Sequence, residues 1–338
     1  VGCVSGLVLA PRETLIAWLV CWLAWGAIPI GSLAVLMLVS LIPGKWRHLY
    51  GQPLALGASL MPVVAVAMIP LLVGVGILYQ WTAPGATAGY AAFKAAWLSS
   101  GFFVVRAIVY LGLLNLIAWA LLSAEPRLRA TIAAGAVIVY GILGSLLAID
   151  FAETSQPDFH SSIYGLFGLT NQWLAGIAFA IIVWLATTDE KPPLAAAGVL
   201  VTAILMWSYL HAMQYIVVWS GDIPAEARWY TERHSWAALA WILFGLQGLG
   251  SFAALLSPKV RRSRKAMMVM AGLTLGMRLA DNAWLVLPGL PHVGLAVAPL
   301  IVAASAAMLG LGWIAAASLK RPDRSWGESE WIGKPRST

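Results

Sequence analysis

Residues 194–219 read LAAAGVLVTAILMWSYLHAMQYIVVW, an apolar run without a single Asp, Glu, Lys or Arg. A helix of this length exceeds the ~30 Å hydrocarbon core of a bilayer at ~1.5 Å rise per residue. Similar runs recur along all 338 residues, of which 61% are hydrophobic and only 10% are charged. A water-soluble domain with this composition would expose large apolar patches. The sequence therefore predicts a single integral membrane domain over residues 1–338.

The apolar runs divide into about nine predicted transmembrane helices of an all-α, polytopic membrane protein. They cover residues 14–42, 54–78, 96–122, 129–150, 162–186, 194–219, 235–256, 266–287 and 294–318. Residues 319–338 form the expected cytoplasmic tail. The first residue is Val1 and the run up to Ala10 is too short to span, so a full product with ten crossings is an open alternative.

The basic residues set the predicted orientation, because Lys and Arg concentrate on the cytoplasmic side of a membrane. Of the 21 Lys and Arg residues, 15 follow odd-numbered spans, four lie on the opposite side, and Arg106 and Arg278 lie inside spans. The loop at 257–265 and the C-terminus are therefore expected in the cytoplasm, and segments 79–95, 151–161 and 220–234 outside. Topology accounts for the net charge of +7, so no nucleic-acid partner is expected.

Residues that usually hold metals are sparse in this chain. Cys3 and Cys21 are too few for an iron–sulfur site, and no two of the five histidines share a predicted span. We therefore expect no metal site and no covalently bound cofactor here. Haem ligation by two histidines from different spans is unsupported but stays open.

Ionisable side chains within apolar spans are costly, so each must be paired or face a cavity. Arg106 lies deep in the third span and should meet an acidic residue of a neighbouring helix. Arg278 and Asp281 are three residues apart, which places them on one helix face. Two interpretations are open: the two charges neutralise each other, or Asp281 pairs elsewhere and takes part in proton movement.

Polar and aromatic side chains recur along the sixth span at helical spacing. They are Trp207, His211, Gln214, Tyr215 and Asp222. Their spacing predicts a polar lane on one helix face, from mid-membrane to the outer end. Because histidine titrates near neutrality and Asp222 can reach outer solvent, the lane suits proton transfer or a quinone headgroup. The plainer alternative is that His211 only hydrogen-bonds a neighbouring helix.

The outward segments are rich in acidic residues and histidines. They contain Asp150, Glu153, Asp158, His160, Asp222, Glu226, Glu232 and His234. Solvated loops are the default interpretation, but acids and histidines around a membrane cavity would also serve as a proton exit.

Several motifs follow one another in a specific order and spacing. They are Gly31-Ser-Leu-Ala-Val-Leu-Met37, Leu78-Tyr-Gln-Trp81, Gly101-Phe-Phe-Val-Val-Arg106 with Tyr110, Asp150 with Gln156-Pro-Asp-Phe-His-Ser-Ser-Ile-Tyr-Gly165, Gln214-Tyr-Ile-Val-Val-Trp-Ser-Gly-Asp-Ile-Pro-Ala-Glu226 with Trp229 and Tyr230, and Asp281 with Trp284 and Pro288. In these motifs the chain resembles the NrfD-like membrane subunits of alternative complex III, in particular the ActF type, the second quinone-binding subunit of quinol:cytochrome c oxidoreductase. It departs from the family where Asp150-Phe151 replaces Asp-Trp and Met213-Gln214 replaces Ser-Gln, and His211 matches no family position.

The resemblance implies two four-helix bundles in a quinol-oxidising complex of the bacterial inner membrane. Implied partners are a sister NrfD-like subunit, periplasmic iron–sulfur and multihaem cytochrome subunits that carry the clusters and haems, lipids and a terminal oxidase. This chain would hold no redox metal and would not be catalytic alone, and it would contribute a quinone pocket and a proton path. Together with the polar residues above, the expected site comprises Arg106, Asp150, His160, His211, Gln214, Tyr215, Asp222, Glu226, Arg278 and Asp281.

Two alternatives come from other functional classes. A proton-coupled secondary transporter would also bury charges and kink its helices, but it should show inverted repeats, and the sequence shows none. A structural scaffold that docks redox proteins would need no proton path at all.

Overall fold

Long helices dominate the computed structural model, which describes residues 6, 9–42, 44, 46–290, 297–318 and 324–326. Within these residues all regular secondary structure is helical. Eight segments are long and apolar enough to cross a membrane: α1 Pro11–Leu41, α2 Trp46–Val73, α3 Ser100–Ser123, α4 Pro126–Ser155, α5 Tyr164–Thr187, α6 Leu194–Gly221, α7 His234–Leu256 and α9 Ala298–Ser318. The chain is therefore an all-α polytopic membrane protein, as the sequence predicts.

The predicted span at 266–287 needs a correction. It is a helix of 23 residues, α8 Arg264–Val286, which is long enough to cross but is not among the eight apolar segments. Arg278, Asp281 and Asn282 lower its hydropathy, and all three are at most 3% exposed. The described part of the chain thus has eight apolar spans, and the long helix α8 differs from them because its polar groups are buried within the protein.

Three of the spans contain local irregularities. The helices Pro11–Trp25 and Ala27–Leu41 join through Gly26, which keeps α-helical angles, so α1 is one span. Within α2 the helix Trp46–Ser59 is followed by Met61–Val73. Within α7 a π-helix, Leu243–Gly250, separates Ala237–Ile242 from Ser251–Leu256.

The long helices form two four-helix bundles. Helices α1 to α4 pack around one another as the first bundle, and α5 to α8 form the second. Helix α1 also packs against α5 and α8, and α9 lies against α1. A methyl group on Gly31 would overlap the Gln172 carbonyl, and one on Gly176 would overlap the backbone at Gly31. These glycines therefore let α1 and α5 touch backbone to backbone, which joins the two bundles.

The connections gather at the two ends of the bundles as an alternating topology requires. At one end, Tyr90 donates to Asp158 at 3.1 Å and Gln156 donates to Glu232 at 2.5 Å. At the opposite end, His48 lies 3.8 Å from Glu190. We call the first the outer end, following the predicted orientation. The tail at 319–338, apart from 324–326, and the question of a helix before residue 9 lie outside the described residues.

Candidate functional site

Arg106 of α3 and Asp150 of α4 form a buried ion pair near the outer end. Arg106 Nε donates to Asp150 Oδ2 at 2.9 Å, and Nη2 donates to Oδ1 at 3.0 Å. The Trp97 indole and the Tyr110 hydroxyl donate to the same carboxylate at 2.9 and 3.0 Å. This arrangement, the Arg106–Asp150 cluster, confirms that Arg106 has an acidic partner on a neighbouring helix.

The Arg106–Asp150 cluster is fully hydrogen-bonded. The third nitrogen of Arg106, Nη1, donates to the Trp97 carbonyl at 2.9 Å, and the guanidinium lies 4.0 Å from the centre of the Trp97 ring. Asp150 is 1% exposed and accepts four hydrogen bonds. Every nitrogen of the Arg106 guanidinium and both oxygens of Asp150 thus have partners within the protein. The cluster therefore suits a structural ion pair better than a site that exchanges protons.

A second buried cluster joins α6 to α8 around Asp281. Arg278 Nη1 donates to Asp281 Oδ2 at 3.0 Å, and the Trp207 indole donates to the same oxygen at 2.9 Å. His211 Nε2 lies 3.3 Å from the other oxygen, Oδ1. Asp281 therefore pairs with Arg278 within α8, as the first interpretation has it, and it also contacts His211 and Trp207 of α6. A part in proton movement stays a prediction. We call these four residues the Asp281 cluster.

The contacts of His211 indicate where its protons lie. Nδ1 lies 3.1 Å from the Trp207 carbonyl oxygen. A carbonyl can only accept, so Nδ1 carries a proton. Nε2 faces the Asp281 carboxylate but is not aligned for a hydrogen bond. Nε2 therefore lies beside a carboxylate oxygen, Oδ1, that also has no hydrogen-bond donor among the described residues.

Several other buried polar atoms near the Asp281 cluster lack a hydrogen-bond partner among the described residues. They are Ser208 Oγ, both side-chain polar atoms of Gln247, Arg278 Nη2 and Trp284 Nε1. Gln247 is 0% exposed and lies in the π-helix of α7, which packs against α6 and α8. Each unpaired group costs about 1–3 kcal/mol, and π-helical turns are frequent at functional sites. The region around the Asp281 cluster therefore contains unpaired polar groups that lower stability, whereas the Arg106–Asp150 cluster is fully hydrogen-bonded.

Polar side chains lie between the Asp281 cluster and the outer end. Gln214 follows His211 by three residues on α6 and is 7% exposed. Its Oε1 accepts from the Ser161 hydroxyl at 2.8 Å. The Ser161 backbone N–H donates to Glu153 Oε1 at 2.8 Å, and the preceding residue, His160, is exposed. Asp281, His211, Gln214 and Ser161 form what we call the polar line.

The predicted lane on α6 is correct only in its inner half. Trp207, His211 and Gln214 face the interior, but Tyr215 is 51% exposed and stacks on Trp219. The physical reason is that successive helical residues are about 100° apart, so Tyr215 cannot share a face with Gln214. Asp222 is also exposed, at the left-handed end of α6 with φ of 46°.

Two further predicted residues lie outside the buried clusters. Glu226 is half-buried in the short helix Pro224–Thr231. His160 is exposed, and its Nε2 lies 3.4 Å from Lys94 Nζ. The structure therefore brings six predicted residues into two buried clusters and one line: Arg106, Asp150, His211, Gln214, Arg278 and Asp281.

Arg233 is a buried charge, although it belongs to the segment 220–234 that the sequence predicts to lie outside the membrane. It is 2% exposed, and Nη1 donates to Gln156 Oε1 and to the Trp229 carbonyl, both at 2.8 Å. Nη2 donates to the Leu285 carbonyl at 2.8 Å. Burial lowers the pKa of the Arg233 guanidinium to about 10, so it stays charged at neutral pH. Arg233 therefore ties the outer loop before α7 to α8.

We expect Arg233→Lys to lower the free energy of unfolding by about 2–3 kcal/mol, since one ammonium cannot replace three charged hydrogen bonds in a fixed fork. Thermal unfolding of the detergent-solubilised chain would measure this. The matched control is Arg228→Lys at an exposed position of the same segment, which should have little effect. Equal melting temperatures for the two variants would contradict a structural role for Arg233.

Two cavities bear on ligand binding. One, of about 30 Å³, is lined by Tyr164, Asn171 and Asn282, and has room for about one water molecule. A larger pocket, of about 390 Å³, opens at the outer end beside Lys94 and Glu153. Only the second approaches the size of ordinary small-ligand sites. Among the described residues no group of three or more His, Cys, Asp and Glu side chains is placed to hold a metal ion.

Neither the comparison with protein-family models nor that with curated proteins gives a match to this chain.

Proposed function

We propose that this chain is a proton-conducting membrane subunit of a quinol-oxidising respiratory complex of the alternative complex III type. It would lie in the bacterial inner membrane with its C-terminus in the cytoplasm. The observation that carries the proposal is the polar line, in which Gln214, three residues beyond His211 on α6, is hydrogen-bonded to Ser161 near the outer end. The sequence motifs support the assignment to this complex, because Gln214 and Asp281 of those motifs lie in the line itself.

The Asp281 cluster has the charge arrangement that a transient proton site requires. A proton on His211 Nε2 is stabilised by the Asp281 carboxylate at 3.3 Å. The positive charge of Arg278, 3.0 Å from the same carboxylate, opposes a second positive charge nearby. Gln214 cannot carry the proton itself, but its amide oxygen positions the Ser161 hydroxyl on the way to the outer end.

Quinol oxidation itself is proposed for the interface with the partner subunits that carry clusters and haems. The buried cavity of about 30 Å³ beside Asn171 cannot hold a quinone ring. This chain would therefore supply the proton route and the helix packing, and it would act only within the complex.

The test is proton release by the assembled complex in proteoliposomes, measured per electron transferred. We expect Gln214→Leu to lower the proton yield about tenfold, because the Ser161 hydroxyl loses its acceptor within the polar line. The matched control is Gln80→Leu, an exposed glutamine of the short helix Gln80–Thr82. An unchanged yield in Gln214→Leu would remove the polar line as the route.

A second variant distinguishes the polar line from the outer half of the sequence-predicted lane. The double substitution Asp222→Asn with Glu226→Gln neutralises two acids that the structure places outside the line. We expect its proton yield to stay within about twofold of wild type, since neither acid belongs to the polar line and Asp222 is exposed to screening solvent. If this double variant alone lost proton release, the route would leave α6 through Asp222 instead.

Purification tests the assignment to a complex. We expect the tagged chain, extracted in mild detergent, to bring multihaem and iron–sulfur subunits with it, detectable by haem absorbance and by mass spectrometry of the subunits. A chain that purifies alone and transports a solute in vesicles would instead support the secondary transporter.

A further inference from the structure

The pocket of about 390 Å³ lies at the outer end of α4, between the short helix Ala92–Trp97 and the segment that follows α4. Its apolar lining includes Phe93, Leu146 and Ile149. Leu146 and Ile149 are partly exposed, and Ile142, one turn before Leu146, is 58% exposed on the surface that faces lipid. The pocket therefore opens where a lipid headgroup would meet the chain.

Charged groups of both signs line the same pocket. Lys94 Nζ lies 3.4 Å from His160 Nε2 and 3.9 Å from Asp158 Oδ1. The ammonium also lies 3.9 Å from the centre of the Tyr90 ring. Glu153 lines the acidic side of the pocket and is half-buried. Its Oε1 accepts a hydrogen bond from the Ser161 N–H. An ammonium and a carboxyl group thus line one small space.

Tyr90 keeps the basic side in place. Its hydroxyl donates to Asp158 at 3.1 Å. Partial burial, together with this hydrogen bond, raises the pKa of the Tyr90 phenol, so it remains a donor at neutral pH. Lys94 is therefore held beside Asp158 and His160, and its side chain is only 26% exposed.

We propose that this pocket binds the headgroup of a zwitterionic aminophospholipid. Lys94 and His160 contact the phosphate, Glu153 accepts hydrogen bonds from the primary ammonium, and the first acyl carbons follow Leu146 and Ile149. An anionic headgroup fits less well, because its only charge would meet the carboxyl oxygens of Glu153 as well as Lys94, and it has no ammonium to donate to them.

A planar ring ligand also fits less well than a headgroup. Trp97 already stacks one face on the Arg106 guanidinium at 4.0 Å, and Phe159 stacks on Trp229 at 4.9 Å between ring centres. Both rings line the pocket, but each already has one face in contact with another side chain. The charge pattern, rather than the aromatic rings, therefore determines the ligand.

The test is lipid titration of the full chain, in the assembly in which it purifies, by native mass spectrometry. The probes are dioleoyl phosphatidylethanolamine and dioleoyl phosphatidylglycerol. We expect the ethanolamine lipid to bind about tenfold more tightly, and Lys94→Met to remove about tenfold of that affinity, the equivalent of one charge-assisted hydrogen bond. Lys191→Met, at an exposed position of the opposite end, is the matched control and should bind as wild type.

A second variant keeps the test informative if Lys94→Met folds poorly. Glu153→Gln should lose the preference for the ethanolamine lipid while it still binds the glycerol lipid, since only the ammonium contact is weakened. Equal affinity of wild type for the two lipids would overturn the proposal. Displacement of the bound lipid by a short-chain quinone would overturn it in favour of a ring ligand. The proton yield of the complex is a separate measurement, so the polar line can fail without affecting this result.

Discussion

Asp150→Asn should lower the free energy of unfolding by about 3–5 kcal/mol, the range for removing one partner of a buried ion pair. The substitution leaves the Arg106 charge, in a side chain that is 6% exposed, without a counter-ion. Asn also lacks the charge that strengthens the hydrogen bonds from Trp97 and Tyr110. Size-exclusion chromatography after heating the solubilised protein would measure the fraction that remains folded at each temperature.

An exposed pair of the same chemistry provides the control. Arg127 Nε lies 2.7 Å from Glu125, but these side chains are 79% and 64% exposed. Glu125→Gln should therefore change stability by less than about 1 kcal/mol. The double variant Arg106→Met with Asp150→Leu should recover much of the loss, because it leaves no unpaired buried charge. If Asp150→Asn melted like Glu125→Gln, the buried cluster would not be structural.

The membrane fold could be predicted from the sequence because it depends on long-range composition. A run such as 194–219 needs no knowledge of its neighbours to be recognised, and it coincides with α6, Leu194–Gly221. Helix α8 shows the limit of this reasoning. Its length predicts a span, but the burial of Arg278 and Asp281 depends on α6, which hydropathy does not describe.

The sequence predicts which types of residue form the candidate site, but it predicts only some of the pairs that these residues form. Burying an unpaired Arg106 is costly, so the sequence predicts an acidic partner for it. That partner, Asp150, lies 44 residues further along the chain, and only the packing of α3 on α4 shows which acid it is. Arg233 carried no signal beyond its position in an outer loop. The sequence did not indicate Gln247 as a site residue. Gln247 is buried in the π-helix of α7, and no sequence pattern predicted a π-helix there.

His211→Phe should produce the largest functional effect, a fall of about a hundredfold in the rate of proton release, in the range for losing a general acid–base group. The imidazole is the group of the Asp281 cluster that the proposal assigns to proton transfer, since its Nε2 lies 3.3 Å from Asp281 Oδ1. Phenylalanine keeps the ring contacts with Phe167 and Trp207, both at 4.5 Å between ring centres. The fold should survive, since Arg278 and Trp207 still donate to Asp281.

The control for His211→Phe is His48→Phe, because His48 also contacts an acid, Glu190 at 3.8 Å, but its side chain is 61% exposed. Electron transfer and proton release must be measured on the same preparation, since they separate the competing interpretations. If electron transfer continues while proton release falls only in His211→Phe, the Asp281 cluster lies on the proton route. If both rates are unchanged, His211 serves only to connect helices α6 and α8. If both fall together with the melting temperature, the residue is needed for folding, and the proton route must be sought through Gln214 and Ser161 alone.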